Sequence, residues 1–256
     1  LKKNVRIMSG AEEAIYGWIS VQHLLSVNNN SISLISKQSV GSIDMGGASI
    51  QVAYHTNSRT NVYRITMNNL KTTYTIHAIS ILGLGVNEAM KKITTIRENP
   101  CFPKGYRSED GQIEGKGSFQ KCQDLIIESF NSHIKQKQRN DSMHVNNFYG
   151  MASFYYTNEF FQLQEDSSVS ELNKSTDQFC SSTWDSLMDQ YNNSRFLKNY
   201  CFFGSFQSAF LTHGFGFHFS KSKVIKSGNL NGAELSWAIG AMMKEIKAVT
   251  INPYFI

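Results

Sequence analysis

Hydrophobic and polar positions near the start of the chain repeat with the period of an α-helix between residues 9 and 26. Ser9 is suited to cap this helix, and Glu12 and Glu13 fall in its first turn, where acidic side chains interact favourably with the helix dipole. The apolar face that follows contains Ile15, Trp18, Ile19 and Leu25. An asparagine cluster at 28–30 ends the pattern, so the sequence predicts one amphipathic helix here.

Apolar and polar positions next alternate with the period of β-strands. The first predicted pair of strands lies between Ser42 and Tyr54 and surrounds a turn that contains Gly46 and Gly47. The second pair covers residues 61–67 and 72–81, which a polar asparagine turn joins.

Helical periodicity then predicts helices at 87–98, 123–137, 152–161, 183–191, 201–213 and 233–247, the last of which ends the chain. Residues 99–120 are rich in glycine, proline and charged residues, which predicts a surface loop. Strands followed by alternating helices predict the α/β class.

Composition narrows the class of protein. The chain has 256 residues, 41% hydrophobic and 18% charged, which is typical of a folded globular protein. Its net charge of +5 is scattered, without a basic run beyond pairs, so no nucleic acid partner is expected. The longest apolar stretch, Ala78 to Val86, is shorter than the roughly 20 residues that span a bilayer. Because the chain begins at Leu1, a signal or membrane anchor upstream stays open.

The cysteines admit two interpretations. Their positions are Cys101, Cys122, Cys180 and Cys201. Sequential pairing would close two loops of equal separation, whereas the alternative is four reduced thiols in a core. N-glycosylation sequons at Asn29, Asn140, Asn173 and Asn192 favour an extracellular protein, but a chain rich in Asn and Ser contains such triplets by chance.

The glycine turn carries the first candidate chemistry. Asp44 ends a strand, two glycines follow, and Ser49 lies beyond them. Adjacent glycines let backbone N–H groups approach an anion, Ser49 can donate to a phosphoryl oxygen, and a carboxylate such as Asp44 suits hydrated Mg²⁺ or Ca²⁺. The alternative is an ordinary hairpin with an acidic residue beside its turn.

The helix at 9–26 carries the second. Glu12 and Glu13 point in different directions, so at most one of them faces a cleft shared with the glycine turn. That carboxylate could act as general base on a water molecule that attacks phosphorus. The alternative is that both only stabilise the helix dipole.

Taken together, these segments resemble the apyrase, or nucleoside triphosphate diphosphohydrolase, family. MSGAEEAIYGW at 8–18 is similar to its third conserved region, IDMGGASIQ at 43–51 to its fourth and NFYGMASFYYT at 147–157 to its fifth. SILGLGVNEAMKK, NPCFPKGY, the FC pair at 179–180, YCFFGS and GAELSWAIG also match in order. The resemblance covers nearly the whole chain.

The resemblance implies a role for each matched residue. Glu13 matches the catalytic base, and Asp44 and Gln51 match the residues that hold Ca²⁺ or Mg²⁺ through water. The phosphate-binding turn corresponds to Gly46, Gly47, Ala48 and Ser49. Tyr156 falls where the family stacks an aromatic ring on the nucleobase, although a core tyrosine is the alternative. The implied disulfides are Cys101–Cys122 and Cys180–Cys201.

The implied fold is a two-lobed, actin-like architecture with RNase H-like lobes. Residues 1–232 would form the C-terminal lobe, and the helix in 233–256 would pack on the N-terminal lobe. The family's first two conserved regions, a DxG-type phosphate loop and a TAG-type segment, are not in these residues. We therefore expect an N-terminal lobe, on this or a separate chain, to complete the site.

Two smaller departures concern single residues. Ala14 replaces a usual glycine, and Phe196 lies where an arginine is common, with Arg195 one position away. The second departure leaves the base preference open.

The resemblance implies hydrolysis of nucleoside tri- and diphosphates to the monophosphate, in an extracellular, cell-surface or secretory setting. Two alternatives are an exopolyphosphatase-type enzyme of the same superfamily and a non-catalytic protein that binds nucleotide, glycan or a protein partner. Trp18, the cysteine pairs and the segment at 147–157 favour the apyrase interpretation over exopolyphosphatase.

Overall fold

A computed structural model describes residues 6–28, 40–59, 61–68, 71–131, 147–191, 194–217, 223–226, 228–230 and 232–254. The chain forms two compact units. The first consists of Leu1–Gly85, Met143–Ala152 and Ser227–Ile256, and the second of Val86–Ser142 and Ser153–Lys226.

The helices, in chain order, are α1 (Gly10–Asn28), α2 (Val86–Ile93), α3 (Phe119–Ser129), α4 (Ser153–Phe160), α5 (Val169–Ser181), α6 (Trp184–Tyr191), α7 (Tyr200–Ala209) and α8 (Trp237–Glu245). The strands are β1 (Gly41–Met45), β2 (Ser49–His55), β3 (Val62–Met67), β4 (Thr72–Leu82), β5 (Glu98–Asn99), β6 (Glu114–Gly115), β7 (Asn147–Ala152), β8 (Lys223–Lys226), β9 (Asn229–Leu230), β10 (Ala233–Glu234) and β11 (Val249–Tyr254). A 3₁₀ turn covers Leu197–Asn199.

The first unit is built on a mixed sheet whose strands lie in the order β11-β3-β4-β2-β1-β7. β1 and β7 are parallel, and the other neighbours are antiparallel. Helix α1 packs on this sheet because its apolar side chains share one core with the inward residues of the strands. That core includes Ile15, Trp18, Ile19, Ile65, Met67 and Ile76, all at most 1% exposed. The sheet therefore gives α1 a rigid base.

Helix α8 packs closely against α1. The Gly240 N–H donates to Ser20 Oγ at 2.8 Å, and a Cβ at Gly240 would lie 2.1 Å from the Tyr16 carbonyl oxygen. Only glycine allows this approach of the two helix backbones. The same segment continues into β11, which pairs with β3. Packing of residues 233–256 on an N-terminal lobe stays a prediction.

The second unit is mainly helical and contains both disulfides. Cys101 is bonded to Cys122, with an S–S distance of 2.00 Å, and Cys180 to Cys201, with 2.06 Å. Helix α5 begins with a capping box in which Ser168 and Glu171 satisfy each other's backbone N–H groups. The structure therefore contains the two disulfides that the resemblance implies, and not four reduced thiols.

Several sequence-based elements are confirmed, and others need correction. The helix at 9–26, both predicted strand pairs and the helices at 152–161 and 183–191 match observed elements within a few residues. The predicted helix at 87–98 ends at Ile93, and the predicted loop at 99–120 contains the short strand β6. The helix at 233–247 does not end the chain, because β11 follows.

Other differences lie in the second unit. The predicted helix at 201–213 is α-helical only to Ala209, the end of α7. A π-helical turn follows at Phe210–Gly214, where the Phe215 N–H donates to the Phe210 carbonyl. The predicted helix at 123–137 is described only to residue 131 and begins earlier, at Phe119. Helix α5 was not predicted. The sequons at Asn29, Asn140 and Asn192 lie outside the described residues, and Asn173 lies within α5.

Candidate active site

The predicted polar residues of the first unit come from α1 and the β1–β2 hairpin. Glu13 lies in the first turn of α1, and Asp44 is the fourth residue of β1. The short turn between β1 and β2 pairs Asp44 with Gln51 in the strand register. Ser49, the first residue of β2, follows the turn. The hairpin thus places a carboxylate, an amide and a hydroxyl at one end of two buried strands.

The Gln51 side chain connects these groups. Its amide nitrogen donates to Glu13 Oε2 at 3.0 Å and to Ser49 Oγ at 2.7 Å. Ser80 Oγ on β4 is a third acceptor at 3.3 Å. An amide nitrogen carries two protons, so the longest of these contacts is the weakest. Gln51 is only 2% exposed, and it fixes the Glu13 carboxylate relative to the turn.

The hydroxyl group of Ser49 can donate a hydrogen bond outside this network. Because its oxygen accepts the hydrogen bond from Gln51, its own O–H proton can point elsewhere. The turn before it is held by two backbone hydrogen bonds, from the Gly46 N–H to the Ser49 carbonyl at 3.1 Å and from the Gly83 N–H to the Ala48 carbonyl at 2.8 Å. The hydroxyl and the turn are together suited to an anionic oxygen.

The two adjacent carboxylates of α1 have separate roles. Glu12 accepts hydrogen bonds from Arg6 at 3.0 Å and from the Ser9 backbone N–H at 2.9 Å, while the Ser9 hydroxyl accepts from the Glu12 N–H. These partners lower the pKa of Glu12 to about 2. Glu13 instead contacts Gln51, and burial raises its pKa. Only the second carboxylate faces the glycine turn, as the sequence argument required.

Asp44 is the most perturbed acid of the site. Burial, and after it the negative charge of Glu13, raise its pKa to about 6. Within the described residues no N–H or O–H group donates to its carboxylate and no cation pairs with it. A hard divalent cation would neutralise two partly buried carboxylates that repel each other, and oxygen atoms are the ligands that Mg²⁺ and Ca²⁺ prefer. The residues present fit such an ion.

Three supporting residues were not predicted from the sequence. A Cβ at Gly85 would lie 2.2 Å from the Ala48 backbone nitrogen. Only glycine at this position therefore allows the chain that follows β4 to lie so close to the turn. A Cβ at Gly10 would lie 2.1 Å from Ser80 Oγ, which places Ser80 directly against the start of α1. Ser80 is the register partner of Gln51 in β4. The segment SILGLG at 80–85 resembles the family's sequence, but the resemblance implies no role for its residues.

The remaining predicted positions belong to the second unit. Tyr156 is 65% exposed on α4, and its ring packs edge-on against Tyr155 at 5.3 Å, which excludes the alternative of a core tyrosine. Phe196 is 49% exposed, with the Arg195 guanidinium 5.3 Å from its ring. The role of Tyr156 in base binding stays a prediction.

Two further kinds of feature are absent from the part of the chain that the structure describes. In the described ranges no group of three or more His, Cys, Asp and Glu side chains is placed to hold a metal ion. None of the helices so described is long and apolar enough to cross a membrane.

Comparison with solved structures identifies the architecture. A nucleoside triphosphate hydrolase from Neospora caninum superposes with a TM-score of 0.65 at 14% identity, covering 93% of this chain and 64% of that one. A Ppx/GppA phosphatase from Aquifex aeolicus gives 0.53 at 12% identity, with the same two coverages. These neighbours have the actin-like ATPase fold, so the predicted α/β, actin-like class is confirmed.

Sequence comparison agrees. The nucleoside-triphosphatase ntp-1 of Caenorhabditis elegans is 25% identical and matches 97% of this chain, and the probable apyrase 3 of Arabidopsis thaliana is 26% identical and matches 94%. The chain spans 52% and 58% of the length of these two relatives. The sequence profile of the GDA1/CD39 (nucleoside phosphatase) family matches residues 1–254, and the chain belongs to that family.

Proposed function

We propose that this chain is the C-terminal half of an enzyme that hydrolyses the terminal phosphate of nucleoside tri- and diphosphates, ending at the monophosphate. The observation that carries the proposal is the Gln51 amide, which contacts both Glu13 and Ser49. It joins a carboxylate suited to activate water to a hydroxyl and a turn suited to bind phosphate.

Glu13 is the general base. Its carboxylate accepts a proton from the water molecule that attacks the terminal phosphorus directly, without a covalent intermediate. As the new P–O bond forms, the bond from that phosphorus to its bridging oxygen breaks, which releases inorganic phosphate and the shortened nucleotide. Burial raises its pKa, which makes it a stronger base than an exposed glutamate. The hydrogen bond from Gln51 orients the carboxylate, because a base must be held at a fixed angle to the water that it activates.

Gly46, Gly47, Ala48 and Ser49 bind the phosphate chain. The Gly46 N–H is bonded to the Ser49 carbonyl and shapes the turn, while the other backbone N–H groups of the turn and the Ser49 hydroxyl donate to phosphoryl oxygens, where negative charge accumulates during the reaction. Asp44 and Gln51 hold Ca²⁺ or Mg²⁺ through water. When bound, such an ion neutralises phosphate charge and the mutual repulsion of Asp44 and Glu13.

The site is completed by an N-terminal lobe that carries the opposing phosphate loop. Support comes from length, since the chain spans only about half of its relatives, and from the sequence, whose single D-x-G triplet, Asp44–Gly46, belongs to the turn already described and leaves no second one for the opposing loop. Tyr156 stacks on the nucleobase, for which its exposed ring is suited.

The protein acts outside the cell, at the cell surface or in the secretory lumen. Two disulfides support this location, because disulfides persist in oxidising compartments. A further relative, 26% identical, carries the name ectonucleoside triphosphate diphosphohydrolase 1, from Bos taurus.

The test is phosphate release by the full-length protein that contains this chain, with ATP, ADP, AMP and long-chain polyphosphate as substrates. We expect hydrolysis of ATP and ADP in Ca²⁺ or Mg²⁺, and none with chelator. Glu13→Gln should lower kcat by about 10²- to 10⁴-fold, the usual contribution of a general base.

Glu12→Gln is the matched control, since it makes the same change in the neighbouring residue, and it should keep kcat within about twofold. Equal loss in both variants would contradict the assignment of Glu13 as base. Rapid hydrolysis of polyphosphate without hydrolysis of nucleotides would instead support the exopolyphosphatase alternative. Nucleotide binding without turnover would support the non-catalytic one.

A further inference from the structure

Helix α7 is the most deeply buried helix side by side with α3 and α5 in the second unit. Every residue of α7 except Phe203 is buried. A Cβ at Gly204 would lie 2.1 Å from Thr176 Oγ1, so α7 and α5 are in close contact. In addition, the Gln123 amide of α3 donates to Ser208 Oγ at 2.8 Å. Contacts with two neighbouring helices therefore fix the position of α7.

The side chain of Gln207 on α7 holds one turn of α4. Gln207 is completely buried, and its amide nitrogen donates to the Ser153 carbonyl at 2.9 Å and to Thr157 Oγ1 at 2.8 Å. An amide nitrogen carries two protons, so both hydrogen bonds can form at once. Ser153 and Thr157 are about one helical turn apart, and Tyr156 lies within that turn. Gln207 therefore fixes the segment of backbone that carries Tyr156.

The two ends of α4 are held in different ways. At its C-terminal end, Phe160 stacks on Tyr200 with ring centroids 3.5 Å apart. At its N-terminal end, the residue before the helix, Ala152, has a φ of 52°. This left-handed conformation is unfavourable for a residue other than glycine, and it persists only where the surrounding structure holds it. The hydrogen bond from Gln207 to the carbonyl of the next residue, Ser153, is such a support.

Packing alone does not explain an amide at position 207. The side-chain oxygen of Gln207 is buried, and no group in the described part of the chain donates a hydrogen bond to it. A buried polar atom without a partner costs free energy, which an apolar side chain of similar length would avoid. What the amide adds to the structure is the fixed position of the α4 turn, through the two hydrogen bonds of its nitrogen.

We infer that Gln207 is a positioning residue for the nucleobase, because it fixes the turn of α4 from which the Tyr156 ring projects. That ring is 65% exposed, so its orientation depends on the backbone that carries it. A ring that is already oriented loses less conformational freedom when a base stacks on it, which strengthens binding. The inference rests on the proposed function, since it uses the role given there to Tyr156.

The test measures KM and kcat for ATP in the full-length protein and its variants. Gln207→Met removes both hydrogen bonds and keeps a side chain of similar size. Gln123→Met is the matched control, because it makes the same change at another buried glutamine, whose amide donates to Ser208 of α7 and leaves the α4 contacts in place. Thr157→Val removes only one of the two acceptors of Gln207, so it is the second variant should Gln207→Met prevent folding.

Tyr156→Ala should raise KM for ATP about tenfold, within the usual range for loss of one base–aromatic stack, and Gln207→Met should raise it about fivefold. In both proteins kcat should stay within about twofold, because binding is lost equally from the ground state and the transition state. Thr157→Val should give a smaller rise in KM, and Gln123→Met should leave both constants within about twofold. In the Tyr156→Ala protein, Gln207→Met should change KM no further, since a residue that acts through the ring has no effect once the ring is absent.

This lack of additivity separates positioning from a general structural effect. Independent effects of Gln207→Met and Tyr156→Ala that multiply in the double variant would overturn the inference while the proposed hydrolysis stands. An equal rise of KM in the Gln207→Met and Gln123→Met proteins would do the same, as would an unchanged KM in folded Gln207→Met or Thr157→Val protein. An unchanged KM in Tyr156→Ala would overturn both the role of Tyr156 and this inference. If the unmodified protein does not hydrolyse ATP, the proposed function fails and the inference fails with it.

Discussion

The two compact units are stabilised by different means. The first has no cysteine, and its polar site is held by strand register and by side-chain hydrogen bonds that meet at Gln51. The second contains both disulfides and a dense aromatic cluster in which Phe160 stacks on Tyr200 with ring centroids 3.5 Å apart. The candidate site residues lie in the unit with the regular sheet, and both disulfide bonds lie in the unit that consists of short helices.

A physical reason connects these observations. A helix packed on a sheet buries long apolar segments, and the strand register fixes the positions of the side chains. Such a unit therefore needs no disulfide bonds for its stability. Short helices of eight to thirteen residues, such as α4, α5 and α6, bury less surface each. Disulfides that close loops then limit the freedom of the unfolded chain.

The second unit should depend strongly on its disulfides. Replacing Cys101 and Cys122 together by Ala opens a loop with a sequence separation of 21, which should cost about 3 kcal/mol of folding free energy. Hydrogen exchange should become faster in α3 and α7, while α1 keeps its protection. Reduction of the unmodified protein with dithiothreitol serves as the control. An equal loss of protection in α1 would show that the two units do not differ in this way.

The first unit should depend instead on close backbone contact. Gly85→Ala places a methyl group against the Ala48 nitrogen, which forces the phosphate turn to move. A displacement of about 1 Å at a reacting group can cost about 10²-fold in rate, so kcat for ATP should fall by roughly that factor. Measurement of kcat together with thermal unfolding separates a displaced turn, which lowers kcat, from a general loss of stability, which lowers the Tm. Unchanged kcat would remove Gly85 from the support of the turn.

The sequence predicts the hairpin of the site well, because its determinants are local. Alternation across 42–54 sets the strands, and the short turn fixes the pairing of Asp44 with Gln51. The roles of Glu13, Asp44 and Gln51 are implied by the family resemblance and stay predictions, whereas the contact of Gln51 with Glu13 is observed. Ser80 was missed because its contact with Gln51 depends on the register of a strand 29 residues away.

Two elements escaped prediction for different reasons. β11 contains Pro253, which argues against a strand by composition, but an edge strand tolerates proline because one side of it makes no ladder hydrogen bonds. Helix α5 carries local indications that were overlooked: a capping box at Ser168 and Glu171, followed by apolar Val169, Leu172 and Phe179 at helical spacing. Only the first of these elements depends on tertiary packing that the local pattern leaves open.

Asp44 should make the metal-free site less stable at neutral pH. Its folded pKa of about 6 lies above the usual value of 3.8, so the folded protein binds the proton more tightly than the unfolded chain. Stability therefore falls as pH rises through this window, by about 2 kcal/mol between about pH 4 and pH 7. Thermal unfolding in chelator should show this slope, and Asp44→Asn should remove it.

Calcium provides the matching control for that prediction. Added Ca²⁺ or Mg²⁺ should raise the Tm of the unmodified protein at pH 7.5 and leave the Asp44→Asn protein nearly unchanged, because a ligand that binds only the folded state stabilises it. An equal shift of Tm in both proteins would mean that Asp44 does not hold the ion.

The smallest effect should come from Glu12, although it neighbours the proposed base. Its ion pair with Arg6 is partly exposed, with side chains 34% and 50% accessible, so solvent screening limits its contribution. Glu12→Gln should cost a few tenths of a kcal/mol at pH 7 through the weakened cap and ion pair. Because the folded pKa of about 2 lies below the usual 4.5, that contribution is present above pH 4.5 and is lost as pH falls towards 2. Thermal unfolding should show the two proteins converging at pH 3, whereas a gap as wide at pH 3 as at pH 7 would mean that Glu12 stabilises the helix through something other than its charge.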